Sequence, residues 1–238
     1  MTNGSHNHPD ATHHHEQHLH SSDFISDIVI GMADGLTVPF ALAAGLSGAV
    51  ASSTLVVTAG IAEIVAGSIA MGLGGYLAGR TEADHYESER RREVLEVETV
   101  PEREKEEVRE VFADMGLPLN LQIAIADELS KDKTKWVDFM MKYELGLDEP
   151  DPNRATKSAL TIGLSYVVGG LVPLAPYFFN SVPQEALLYS CVLTLICLFV
   201  FGYFKSKVTG QPPVGGAFKV MFIGALAAAA AFGVARLF

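Results

Sequence analysis

The stretch DIVIGMADGLTVPFALAAGLSGA, residues 27–49, sets two carboxylates, Asp27 and Asp34, inside a run apolar enough to cross a membrane. A carboxylate at mid-bilayer costs about 2.5–3.5 kcal/mol on insertion scales, so acids placed there face a bundle interior or a hydrated path and mark function. The two lie seven residues apart, which leaves them about 20° short of two full turns and about 10 Å apart along the axis, on one helix face. That face is a candidate ion path. Pro39 cannot donate to the carbonyl of Gly35, and Gly35 loosens the helix beside Asp34, so a bend or local unwinding is expected there. A freed carbonyl beside a carboxylate suits a cation. The plain alternative puts Asp27 at headgroup level and has Asp34 bond a neighbouring helix.

Working outward, residues 1–22 are polar and hold seven of the eight histidines, among them His13, His14 and His15. Such a segment cannot bury a core and reads as a disordered tail, either a solvated leader or a weak gatherer of metal. On the other side, a short uncharged turn at Ser52 and Ser53 leads from a first membrane helix, about residues 24–51, into a second, about 55–79. The second helix carries Glu63 and Met71 amid Gly60, Gly67, Gly72, Gly74, Gly75 and Gly79, and small residues let helices approach closely. A lone methionine in a membrane helix is usually packing. Beside Asp34 and Glu63, a soft thioether among hard carboxylates favours a transition metal over Mg2+ or Ca2+.

Apolar character stops at Arg80, but nothing breaks the helix before Pro101, so the second membrane helix is expected to continue as a stalk to about residue 96. Three amphipathic helices follow, about residues 102–115, 118–129 and 131–145, with Gly116 and Gly146 as terminators. Residues 82–151 hold 21 acidic and 10 basic side chains, a balance of −11 that equals the charge of the whole chain. This segregation argues for membrane helices plus an acidic soluble insert, a poor nucleic-acid partner and a good collector of cations. Glu93 with Glu96, Glu104 with Glu107, and Met140 with Glu144 each share a helix face and have apolar neighbours. Clustered carboxylates on an inner face repel unless protonated or metal-bound, so a multi-cation site and a solvated acidic face are equally compatible with residue physics alone.

Beyond Pro150, Asp151 and Pro152, apolar segments at about residues 155–180, 184–205 and 215–237 bring the spans to five. Arg80, Arg154, Lys157, Lys205 and Lys207 fall on one side, which the positive-inside rule makes cytoplasmic, together with the tail and insert. Cys191 and Cys197 lie in an apolar run without the spacing of a disulfide framework or zinc site and read as packing. The fold class is thus all-α: a polytopic membrane protein with five transmembrane helices and a cytoplasmic helical insert, a candidate metal-binding domain, between helices 2 and 3. Its divisions are the tail at 1–22, helices 1–2 at 23–80, the insert at 81–151 and helices 3–5 at 152–238.

The quoted stretch, the run EIVAGSIAMGLGGYLAGR at 63–80, and the Glu-rich insert before the third span closely resemble the vacuolar iron transporter family over nearly the whole chain after the tail. The resemblance implies a homodimer that moves Fe2+ or Mn2+ out of the cytosol in exchange for protons, along a path at the dimer interface, for storage or detoxification. It implies that Asp34 and Met71 are membrane metal ligands, that Asp27 and Glu63 line the path, and that Asp23 stands at the entrance where a Glu is usual. Glu93, Glu96, Glu104, Glu107, Met140 and Glu144 match the family's metal-binding positions in the insert. Ala33 departs from a common Ser before the Asp-Gly pair, and the His-rich tail is no family hallmark.

The expected function is a secondary transporter, a metal/proton antiporter rather than an enzyme, with Fe2+, Mn2+, Co2+ or Zn2+ as substrate and no permanently bound cofactor. Its surroundings are lipid, of a vacuolar or endomembrane type in a eukaryote and the inner membrane in a bacterium. Two rivals come from other classes: a membrane-anchored ferritin-like iron oxidase, and a metal buffer held by inert spans. The oxidase chemistry usually needs Glu-x-x-His, and the single histidine outside the tail is His85.

Overall fold

The computed structural model describes residues 18–235 and 237, and the elements within them are all helical. They are α1 (His18–Ala49), α2 (Ser53–Thr99), α3 (Pro101–Asp114), α4 (Leu119–Leu129), α5 (Lys133–Phe139) continued by a π-helical turn (Met140–Glu144), α6 (Arg154–Phe179), α7 (Pro183–Val208) and α8 (Pro213–Ala235). Five of them, α1 from Asp23 onward, α2, α6, α7 and α8, are long and apolar enough to cross a membrane. Helix α1 starts at His18, within the histidine-rich segment; residues 1–17 of the expected tail lie outside the described residues.

Helix α2 runs unbroken for 47 residues, about 70 Å at 1.5 Å per residue. Its first half is apolar as far as Gly79 and its second half is charged, so one rod joins the spans to the insert. It stops at Val100, whose φ of −133° and ψ of 46° lie outside the helical region. Pro101 opens α3 as its first residue, and a residue before proline is disfavoured in the α region.

Above the spans, the far half of α2 packs with α3, α4, α5 and the π turn around Val97, Val108, Ala126, Trp136, Val137, Met140 and Met141. Asp132 caps α5, accepting from the amides of Thr134 at 3.1 Å and Lys135 at 3.2 Å. Gly116 and Gly146 follow the helices they end, at φ of +83° and +66°, where only glycine is unstrained. The expected α-helix to residue 145 is corrected over its last turn: the amide of Leu145 reaches the carbonyl of Met140 at 3.1 Å, a π-type bond spanning five residues.

Within the membrane part, α6 lies against both α1 and α2. The backbones meet directly: a Cβ on Gly31 would overlap the carbonyl oxygen of Ile162, one on Gly35 would overlap that of Tyr166, and one on Gly79 would come 2.8 Å from Cα of Ala155. Of the bend or local unwinding expected at Gly35 and Pro39, the unwinding does not occur, since α1 is helical through both. Gly35 serves close contact with α6 instead, and Leu36 and Phe40 on the same stretch are buried. Cys191, free like Cys197, packs beside Phe40 and Ala44.

Gly31→Val should therefore lower the thermal stability of the detergent-solubilised protein, by about 1–3 kcal/mol for overpacking of this kind. Gly74→Ala, with open space around the added atom, should leave the melting curve in place. Equal melting of the two variants, followed by fluorescence-detected size exclusion, would contradict the backbone contact.

Candidate metal path and acidic cluster

Of the acids read from the membrane sequence, Asp34 is half-buried, and its carboxylate has no hydrogen-bond or ion-pair partner among the described residues. The nearby hydroxyl of Thr37 is turned to the backbone, donating to the carbonyl of Ala33 at 2.8 Å. Glu63, on α2, accepts a hydrogen bond from the hydroxyl of Tyr166 at Oε1, while its Oε2 is buried without a partner. Met71 lies two turns further along α2, half-buried like Glu63 and Gly67, so the three form a ridge along the boundary between the packed and exposed faces of the helix.

Asp27 is placed differently. It is 3% exposed and held by Arg154, whose Nη1 lies 2.5 Å from Oδ2 and Nη2 3.3 Å from Oδ1, while Ser158 donates to Oδ1 at 3.0 Å. Arg154 also reaches Asp23, Nε to Oδ2 at 3.6 Å. Asp23, Asp27, Asp151, Arg154 and Lys157 line a cavity of about 290 Å³. The bidentate pair neutralises Asp27, so its oxygens are engaged while those of Asp34 are open.

In the insert, one carboxylate oxygen from each of Glu93, Glu96 and Glu104 lies within 4.8 Å of the others. Glu93 and Glu104 are each 1% exposed and each keeps an unpartnered Oε2. The helix pattern explains the burial: Glu93 lies one turn before Val97 on α2, and Glu104 one turn before Val108 on α3, and both valines belong to the core. Arg92 is the local counter-ion, 3.5 Å from both Glu93 and Glu96 and 2.8 Å from Glu89. Arg103 takes Glu107 at 3.1 Å.

Burial, then the neighbouring charges of Glu107, Glu93, Glu96 and Glu144, pushes the Glu104 carboxyl up to about 7. Burial, then Glu93 and Glu107, does the same for Glu144. Glu93 also moves up, by burial first and Glu96 next, against the pull of Arg92. Five predicted insert residues thus share one electrostatic neighbourhood. The sixth, Met140, is fully buried and packs in the apolar core with Trp136 and Val108. Carboxyls raised in this way can hold protons near neutrality, and a divalent cation placed among them would remove the repulsion.

Sequence reasoning gave Ser158 and Tyr166 no role, read Arg154 only as a marker of the cytoplasmic side and Arg92 only as a charge balancing the acidic face. A tyrosine in an apolar run and an arginine at a span's edge look ordinary, and their partners lie far off in sequence. Arg92 alone carried a signal, three and four residues from Glu89 and Glu96 on one helix.

Five long apolar helices that hold Asp34 without a partner, joined by a continuous helix to a carboxylate cluster, define a polytopic membrane protein. Residues 25–236 match the family model described as the VIT family. The chain is 53% identical to "Vacuolar iron transporter 1" of Oryza sativa subsp. japonica, over 94% of this chain and 89% of that one. It is 52% identical to "Vacuolar iron transporter 1" of Arabidopsis thaliana, over 94% and 90%. With "Protein CCC1" of Saccharomyces cerevisiae it shares 38%, over 90% and 68%. The chain belongs to the VIT family.

The raised carboxyls of the insert set a pH dependence whose direction is fixed. Between pH 4.5, where an unfolded Glu loses its proton, and about 7, where Glu104 and Glu144 lose theirs, the folded state binds more protons than the unfolded one. Stability therefore falls as pH rises through that window, by up to about 1.4 kcal/mol per pH unit for buried Glu104 and by less for Glu144, which is exposed and screened by solvent. Metal-free full-length protein should melt progressively lower from pH 4.5 to 7.5. Glu104→Gln should flatten the slope, and Mn2+ at pH 7.5 should restore the lost stability. A melting temperature independent of pH would remove the cluster's electrostatic coupling.

Proposed function

We propose that this chain is a secondary transporter that carries Fe2+, and Mn2+ as a second substrate, out of the cytosol in exchange for protons. The observation that carries the reading is Asp34, an unpartnered carboxylate half-buried in a span, with Glu63 and its orphan oxygen on the adjoining helix. Protons and cations compete for the same carboxylate oxygens, so an arriving ion displaces protons and a returning proton releases the ion. Met71 supplies the soft atom that prefers a later first-row metal to Mg2+. The names of the plant relatives, vacuolar iron transporters, support iron as cargo and a vacuolar membrane as the setting.

The insert collects metal on the cytoplasmic side and the spans carry it. Support for this orientation comes from Arg80, Arg154, Lys157, Lys205 and Lys207, which lie at the insert's end of the spans. Asp23 and Asp27, clasped by Arg154, stand at the cytoplasmic mouth. The path is completed by a second copy of the chain: the exposed face of α2 carries Val65, Ile69, Leu73 and Leu77, beside the ridge of Glu63 and Met71. The ferritin-like alternative loses support, because His85 lies 3.9 Å from Glu89 and does not join the cluster.

In proteoliposomes with an imposed pH gradient, the parent protein should couple Fe2+ uptake to proton release. Asp34→Asn should reduce both more than about tenfold, the scale of losing a charged ligand. Unchanged flux in Asp34→Asn would refute the path. Met71→Leu conserves size and apolarity at a cost under about 1.5 kcal/mol. It should lose Fe2+ transport, and excess Mg2+ should inhibit the remainder more strongly. Normal Fe2+ transport with unchanged Mg2+ resistance would make Met71 a packing residue.

A further inference from the structure

Tyr166 is one of the α6 residues that touch both acid-bearing helices. It is 2% exposed. On one side its backbone fills the space where Gly35, next to Asp34, would carry a Cβ. On the other its ring lies against α2, where a Cβ on Gly67 would fall 2.6 Å from Cζ and 2.7 Å from Cε1. The ring is thus fixed in a slot that only glycine leaves open, and its hydroxyl donates to Oε1 of Glu63, one helical turn before Gly67. The second oxygen of Glu63 is buried and has no partner, an unfavourable state for a carboxylate unless a cation or proton comes to it.

The two acids bonded to α6 have partners of different charge. Asp27 is matched by a guanidinium, which cancels its charge and occupies both oxygens. Glu63 is matched by a neutral phenol, which orients one oxygen and leaves the negative charge uncancelled. A glutamate side chain has three rotatable bonds and loses rotamer freedom when it binds an ion. A rigid phenol seated against Gly67, on a backbone seated against Gly35, removes that freedom beforehand.

We propose that Tyr166 is a positioning residue of the metal path: its hydroxyl holds Glu63 through Oε1 so that Oε2 is presented to the passing cation. This rests on the antiporter reading above and adds to it the device that orders the second acid. The role is one of binding, so removing the hydroxyl weakens capture of the ion more than turnover.

The test uses full-length protein in proteoliposomes, with Mn2+ uptake measured against concentration at a fixed pH gradient. Tyr166→Phe keeps the ring in its slot and should raise KM for Mn2+ by about tenfold or more, the worth of a hydrogen bond to a charged group, with Vmax within about twofold of the parent. Tyr177→Phe is the control. It removes another buried hydroxyl of α6, bonded to Ser47 at 2.8 Å, and should leave KM unchanged. Glu63→Asp withdraws the carboxylate from the hydroxyl without touching the ring; it should raise KM alone, and Tyr166→Phe should add nothing in that background. A parent-like KM in Tyr166→Phe, an equal effect from Tyr177→Phe, or additive losses in the double variant would each overturn the assignment while leaving antiport intact. A parent protein that moves neither Fe2+ nor Mn2+ under the gradient would refute the antiporter reading itself, and this assignment with it.

Discussion

Backbone contact between α6 and the first two helices is the constraint on which the membrane part depends. Where Gly31, Gly35 and Gly79 face Ile162, Tyr166 and Ala155, no side chain separates the helices. Lipid offers no hydrophobic driving force for helix association, so such close packing supplies the contact instead. One consequence is geometric. Arg154 and Ser158 at one end of α6 come within bonding distance of Asp27, and Tyr166 about two to three turns deeper comes within reach of Glu63. The same contact leaves the outward face of α2 uncovered, with Met71 at its edge.

A second constraint is electrostatic and acts on the insert. Its core is built from valines, Trp136 and methionines, and the turns that bury Val97 and Val108 also bury Glu93 and Glu104. Arg92 offsets part of the charge, and burial with mutual repulsion raises the carboxyls of Glu104 and Glu144 into the neutral range. A folded unit that tolerates this is less stable than one with hydrophobic residues in the same places. Under the proposed function the cluster exchanges protons for cations. The π turn over Met140–Glu144 closes the same neighbourhood, and local π geometry is frequent at functional sites.

Much of this was legible in the sequence, and the rest was not, for physical reasons. Hydropathy locates all five apolar helices, since crossing a membrane demands an uninterrupted run that composition reveals. The continuation of α2 into the insert follows from the absence of a breaker before Pro101. Spacing brings Glu93 to Glu96 and Glu104 to Glu107, because those pairs are local. Spacing does not bring Arg154 to Asp27 or Tyr166 to Glu63, which are 127 and 103 residues apart; only the packing of α6 does. The unwinding expected at Gly35 and Pro39 fails because the glycine's absent side chain is used for contact with α6. Met140 shares the helical period of a ligand and of a core residue, and burial places it in the core.

The central claim is that one chain holds two cation sites of different kind, an acidic exchanger in the insert and a carboxylate–thioether site in the spans. Anomalous scattering at the manganese edge from crystals of the full-length protein equilibrated with Mn2+ tests it most directly. The account predicts one set of peaks among Glu93, Glu96 and Glu104 and a separate peak within ligand distance of Asp34 and Met71. Peaks confined to the insert, with none in the membrane helices at saturating Mn2+, would contradict it.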